Sequence, residues 1–214
     1  ENDVDLGSTF STPVISRLHT GEWGVIVGNG YNGNNGNASL FVLNAATGGV
    51  VSKLTTSVVG NNGLSSPVVL DANADGIADY VYAGDLLGNL WRFDLIGSSL
   101  VANATAANFK VAFGNKPLYT ATVSDASGAA VQSITAAPAV VAHPSSAGTI
   151  VIFGTGRYFA SADKTSTDLQ TLYGIWDKQT AGAAAASTPV LARSSLQQQT
   201  ITSQVNNAVF GSAT

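Results

Sequence analysis

The chain has 214 residues, enough for one large or two small domains, and 45% of them are hydrophobic, ample for a core. Only 10% are charged and the net charge is −4 with a pI near 4.8, which excludes the basic footprint needed for nucleic acid or an acidic membrane surface. No apolar run approaches the roughly 20 residues that span a bilayer, and the absence of cysteine excludes disulfides and thiolate metal sites.

Helical periodicity is nearly absent, and short β-branched and aromatic runs punctuated by Gly, Asn and Pro predict strands throughout. Thr12-Pro13-Val14-Ile15 opens the first, a position Pro tolerates because a strand start needs no ladder N–H. Val25-Ile26-Val27-Gly28 is the second. After it, Gly28-Asn29-Gly30-Tyr31-Asn32-Gly33 has the G-x-G-x-x-G spacing of a dinucleotide loop. Asn34-Asn35-Gly36-Asn37 does not open the helix that such a loop needs, and no acid stands between Glu22 and Asp71, so a hairpin loop without cofactor is expected. Leu40-Phe41-Val42-Leu43-Asn44 is the third strand, and Asn44 can bond the backbone of its own turn through Gly48.

The same order then recurs. Ser66-Pro67-Val68-Val69, Val81-Tyr82-Ala83-Gly84 and Leu90-Trp91-Arg92-Phe93-Asp94 form a second unit, stretched by residues 97–108, which read as a surface loop. Ala137-Pro138-Ala139-Val140, Val151-Ile152-Phe153-Gly154 and Tyr173-Gly174-Ile175-Trp176-Asp177 form a third, with a polar loop at 160–169. The Ala-rich tract 181–187, beside Gly182 and before Pro189, reads as a loop, and 199–205 as a strand opening a fourth unit. Pro13, Pro67 and Pro138 stand at intervals of 54 and 71 residues, a period that indicates propeller blades. The expected fold class is therefore all-β, with β-propeller-like (quinoprotein-like) blades. Residues 1–214 form a single propeller segment, with units at about 8–60, 61–133 and 134–195 and the start of a further one at 196–214. Propellers close with at least four blades, so a partial propeller of three to four blades is expected to be a segment of a larger one or a truncated variant.

The densest chemistry is the loop Asp71, Asn73, Asp75, Gly76 and Asp79, which places three of the chain's 13 acidic residues within nine positions. Carboxylates this close repel unless a cation neutralises them. Oxygens at positions 1, 3, 5 and 9 with a turn-forming Gly at 6, completed by the backbone carbonyl of Ile77, suit the six to eight oxygen ligands of calcium. The pattern resembles the first half of an EF-hand loop, but position 12 is Tyr82 rather than Glu and β-rich runs replace both helices, which leaves Asp79 as the bidentate carboxylate. An Asx-rich β-turn without metal is the alternative, since Asp, Asn and Gly all favour turns.

The stretch from Gly63-Leu64-Ser65-Ser66-Pro67 through the 71–79 loop to Leu90-Trp91-Arg92-Phe93-Asp94 closely resembles the C-terminal β-propeller domain of type IV pilus tip-associated adhesins of the PilC/PilY type. The likeness extends through Val27-Gly28-Asn29-Gly30-Tyr31-Asn32, Lys116-Pro117-Leu118, Phe153-Gly154-Thr155-Gly156-Arg157-Tyr158 and Tyr173-Gly174-Ile175-Trp176-Asp177, covering roughly residues 8–210. It implies calcium (Ca2+) at the matching loop positions and a role in pilus biogenesis in which the calcium-bound state favours extension over retraction, supporting twitching motility and surface attachment. Type IV pilus components such as minor pilins, and the remaining blades of the parent protein, are the implied partners. The implied location is the bacterial cell surface, at the pilus tip or outer membrane. The low charge and the Gly, Ala, Ser, Thr and Asn content suit a secreted bacterial surface protein, and the absence of any Met is expected of a processed or excised chain. The family's long N-terminal region, which in some members holds a von Willebrand A-like module, is missing from these 214 residues, which weakens the case for direct adhesion by them.

No catalytic residue is expected. His19 and His143 lie in different units without an acidic or Cys partner at ligand spacing and read as loop histidines in water, and no G-x-S-x-G elbow is present. Trp23, Trp91 and Trp176 read as blade packing, and Arg92, Arg157, Asp94 and Asp177, at strand ends, as candidates for interblade ion pairs. Two other functions compete: a quinoprotein-type dehydrogenase, whose calcium ligands are spread over several blades, and an integrin-like binding propeller, whose calcium loop repeats in several blades. Here all candidate ligands stand in one loop of one unit.

Overall fold

The computed structural model describes residues 3–125, 128–145, 147–178 and 191–199. The Ala-rich tract 181–187, and the expected strand at 199–205 except for residue 199, lie outside these. The first sheet is an antiparallel meander of β1 (Val14–Arg17), β2 (Trp23–Gly28), β3 (Asn37–Asn44) and β4 (Val50–Val59). The second contains β5 (Val68–Leu70), β6 (Tyr80–Gly84), β7 (Asn89–Asp94) and β8 (Lys110–Val111), with β9 (Tyr119–Thr120) also paired to β7. A hairpin of β10 (Thr122–Asp125) and β11 (Gly128–Val131) precedes the third sheet, formed by β12 (Ala139–Ala142), β13 (Thr149–Gly154) and β14 (Leu172–Asp177). The chain is all-β, with the antiparallel sheets packed as successive blades.

Side chains alternate faces along a strand, so a blade sandwiched between two others buries both faces. Every residue of β6 and β7 is buried, whereas β2, β13 and β14 alternate between buried and more open positions. Val81, Ala83, Trp91 and Phe93 join Ile26, Leu40 and Val42 of the first sheet in one core. Tyr80, Tyr82 and Leu90 point the other way, into a second core with Val151, Phe153, Tyr173 and Ile175 of the third. Each fully buried side chain of this size contributes roughly 1.5–3 kcal/mol. Arg92 shares the second face, with its guanidinium over the Tyr80 ring and bonded to Asp94 and to Asp177 of β14. It provides the expected ion pair between blades. Arg157 does not, because its partner Asp163 lies in its own loop.

A repeated joint links the blades. The glycine ending the second strand of one unit admits the segment leading into the next. A Cβ on Gly28 would meet the Ser65 carbonyl oxygen at 2.3 Å, and one on Gly84 would meet Ile134 Cγ2 at 2.2 Å. The next residue then serves as an acceptor for the start of the third strand. Asn29 Oδ1 accepts from the N–H of Ser39, Asp85 Oδ1 from Asn89, and Thr155 Oγ1 from Thr171. Asn29 Oδ1 also accepts the N–H of Leu64, tying the first unit to the second. The G-x-G-x-x-G segment is thus the β2–β3 hairpin connection, its glycines selected by close backbone approach.

Trp91 is fully buried, as expected of blade packing, and Trp176 is half-buried with its indole N–H donating to the Ala147 carbonyl. Trp23 is 56% exposed and does not pack a blade, because it opens β2 on that strand's open face. The 97–108 loop is not wholly at the surface either: Ala104 is buried and its N–H donates to the His19 carbonyl.

Candidate metal centre

The 71–79 loop joins β5 to β6, and their pairing of Leu70 with Tyr80 fixes its two ends. Within it the chain turns twice through left-handed backbone, at Ala74 (φ 62°) and Gly76 (φ 86°). A Cβ at Gly76 would meet nothing within 4 Å, so the glycine is needed for its φ rather than for space.

The first three acceptor side chains converge. Asp71 Oδ1 and Asn73 Oδ1 both accept the Asp75 N–H, at 3.1 and 3.3 Å, and Asn73 Nδ2 donates to Asp75 Oδ2 at 3.0 Å. Asp71 Oδ2 accepts from Gly76 N–H at 2.7 Å and Asp75 Oδ1 from Ile77 N–H at 2.9 Å. Asn73 and Asp75 are exposed and Asp71 and Ile77 half-buried, so this group faces water.

Asp79 stands apart on the inner side. It is fully buried; its Oδ2 accepts the Ala72 N–H at 2.7 Å, and its Oδ1 lies 2.8 Å from His19 Nε2. Burial pushes its carboxyl up, while the His19 and Ala72 hydrogen bonds pull it down and the Asp75 charge raises it further. Among the described residues no three His, Cys, Asp or Glu side chains gather into a metal-binding group. Asp71, Asn73 and Asp75 are brought together, and Asp79 borders them through Ala72. The donor set is all oxygen, partly charged, and carried on a loop open to water, which fits a hard, irregularly coordinated cation such as calcium.

The reading of His19 as a loop histidine in water is corrected: it is 5% exposed and meets the carboxylate of Asp79. Sixty residues separate the two, so no local spacing could pair them. The pairing is made by the stacking of adjacent blades, in which the β1–β2 turn and the β5–β6 loop meet at the same end. Backbone contacts follow the same route, with Ala78 N–H donating to the Arg17 carbonyl and Arg17 bridging Ile77 in parallel. His143 remains half-exposed, its ring 4.4 Å from that of Trp176.

A family model described as the PilY1 beta-propeller domain matches residues 1–214. A type IV pilus biogenesis factor PilY1 of Pseudomonas aeruginosa is 48% identical over 229 residues, covering 100% of this chain and 19% of that protein. A PilY1 homolog of Xylella fastidiosa is 43% identical over 206 residues, covering 89% of the chain and 14% of that protein. The crystal structure of the Pseudomonas aeruginosa PilY1 C-terminal domain superposes with a TM-score of 0.83 at 50% identity, over 91% of this chain and 42% of the other. The chain thus spans about a fifth or less of the length of these curated relatives. It belongs to the PilY1 β-propeller domain family.

Proposed function

We propose that this chain is a calcium-binding, non-catalytic propeller module of a type IV pilus biogenesis protein. One observation carries the metal reading: Asp71 and Asn73 aim their side-chain oxygens at a single N–H of Asp75, beside the Asp75 carboxylate, on a loop that also contains Asp79. Calcium supplies the positive charge that residues 71–79, with three carboxylates and no Lys or Arg, lack among themselves. Asp71, Asn73, Asp75, the Ile77 carbonyl and Asp79 would hold it, with the first three exchanging their bonds to the loop's own N–H groups for the ion. All donors belong to one loop, which favours this reading over a quinone enzyme with ligands from several blades.

The names of the relatives, type IV pilus biogenesis factors, support a place in pilus biogenesis. In this reading the module works at the bacterial cell surface, with pilus components such as minor pilins as partners. In this reading the calcium-loaded loop favours pilus extension over retraction, and through it twitching motility and surface attachment. No helix among the described residues is long and apolar enough to cross a membrane.

The double variant Asp71→Ala, Asp75→Ala in cells tests the reading, because neither side chain is buried. A regulatory ion predicts a protein of near wild-type melting temperature with altered piliation and twitching. A folded variant that no longer binds calcium yet gives wild-type pili and motility rules the switch out.

A further inference from the structure

We infer that His19 is a positioning residue for the calcium loop, so that the first blade sets the ion affinity of the second. The inference rests on the calcium reading above and concerns a residue outside the loop. His19 Nε2 donates to Asp79 Oδ1 at 2.8 Å, and the side chains are 3% and 0% exposed. The other oxygen of Asp79 is held by the Ala72 N–H. Both oxygens of the buried carboxylate are therefore fixed, one by the loop itself and one by the neighbouring blade. A carboxylate offers about four lone-pair directions, which leaves two for an ion.

His19 is itself held rigidly. It sits in the β1–β2 turn, closed by Leu18 N–H to the Glu22 carbonyl and by Gly21 N–H to the Leu18 carbonyl. Leu18 is 1% exposed and lies so close to Gly24 that a Cβ there would meet Leu18 Cδ1 at 2.6 Å. The His19 carbonyl accepts the Ala104 N–H from the 97–108 loop, and Asn73 Nδ2 donates to the Leu100 carbonyl of that loop at 3.4 Å. The turn, the ion loop and the 97–108 loop form one closed circuit of contacts. Without His19, Asp79 keeps only the Ala72 bond and its carboxylate can swing, and loss of an outer hydrogen-bond partner of this kind weakens metal affinity about 10- to 100-fold.

The test is calcium calorimetry on the purified 214-residue chain as wild type, His19→Leu and His19→Gln, with hydrogen exchange on the same samples. His19→Leu is expected to weaken calcium by about tenfold or more, and His19→Gln, whose amide N–H can reach the same oxygen, to restore affinity to within about threefold. Calcium is expected to slow exchange in the 18–21 turn of the wild type and not of His19→Leu. If His19→Leu does not fold, His19→Asn, one methylene short of Asp79, takes its place with the same expected loss. A purely structural His19 would lower the calcium-free melting temperature and leave the calcium Kd unchanged, and that result overturns the inference. Calcium protection confined to residues 71–79 overturns it as well. A wild type that shows no calcium binding overturns the calcium reading itself, and this inference with it.

Discussion

Arg92→Ala is expected to destabilise the protein by about 3–5 kcal/mol, because it removes the guanidinium lying between two buried carboxylates. The Arg92, Asp94 and Asp177 side chains are 1%, 3% and 5% exposed. Arg92 Nε donates to Asp94 Oδ1 at 2.8 Å, and its Nη1 to Asp177 Oδ2 at 2.9 Å and Oδ1 at 3.2 Å. Burial already pushes the Asp94 carboxyl up, and the Arg92 charge is the first thing opposing it. The guanidinium also stacks 4.1 Å from the Tyr80 ring centroid and 5.3 Å from that of Phe113, contacts worth roughly 0.5–2 kcal/mol when desolvated, which places the cost toward the upper end. Arg157 is the internal control: it is 49% exposed in its pair with Asp163, and Arg157→Ala should cost at most about 1 kcal/mol. At about 2–4 °C per kcal/mol for a chain of this size, Arg92→Ala should melt roughly 6–20 °C below wild type. Urea unfolding should show a lower midpoint at unchanged slope. An Arg92→Ala midpoint indistinguishable from that of Arg157→Ala would refute the view that this residue locks the second blade to the third.

Gly28→Ala and Gly84→Ala should each cost about 1–3 kcal/mol, since the new Cβ would meet Ser65 oxygen or Ile134 at under 2.4 Å, whereas Gly154→Ala, with nothing within 4 Å in the described chain, should stay within about 0.5 kcal/mol; denaturant midpoints of the three variants decide. Asp163 accepts the N–H groups of Ala160 and Phe159 and bonds Arg157, which hold its carboxyl below the ordinary value of 3.8. Its contribution to the 157–163 turn is complete above that value and is lost as pH falls through the lower folded value; a carboxyl NMR titration with a midpoint at or above 3.8 would contradict it. Asp79→Ala, which removes the expected bidentate ligand, should weaken calcium at least about tenfold, or about 1.4 kcal/mol, by calorimetry.

Much of the fold is legible because propeller blades repeat a short vocabulary. Pro13, Pro67 and Pro138 precede β1, β5 and β12, and the glycine-ended runs at 28, 84 and 154 are the ends of β2, β6 and β13. Less legible was β4, whose Val50-Val51-Ser52-Lys53-Leu54-Thr55 run mixes both faces and pairs with β3 through two register shifts. The two-residue β8 and β9 are defined by their partner β7 rather than by any pattern of their own. In the candidate site, Asp71, Asn73 and Asp75 lie within one turn, and local spacing suffices to group them. The bond between Asp79 and His19 is tertiary, made by two loops at the same end of adjacent blades, and only the three-dimensional stacking reveals it. Trp23 shows the opposite failure: a large apolar side chain suggests a core position, but it opens β2 on that strand's open face, which leaves it 56% exposed.

Titration of the purified chain with calcium, and separately with magnesium, tests the central claim most directly. The all-oxygen donor set of the 71–79 loop predicts one calcium per chain, abolished in an Asp71→Ala, Asp75→Ala double variant. Magnesium, which demands near-octahedral geometry and sheds water reluctantly, should bind much more weakly. No calcium heat, equal affinity for the two ions, or calcium binding that survives the double variant would contradict the account.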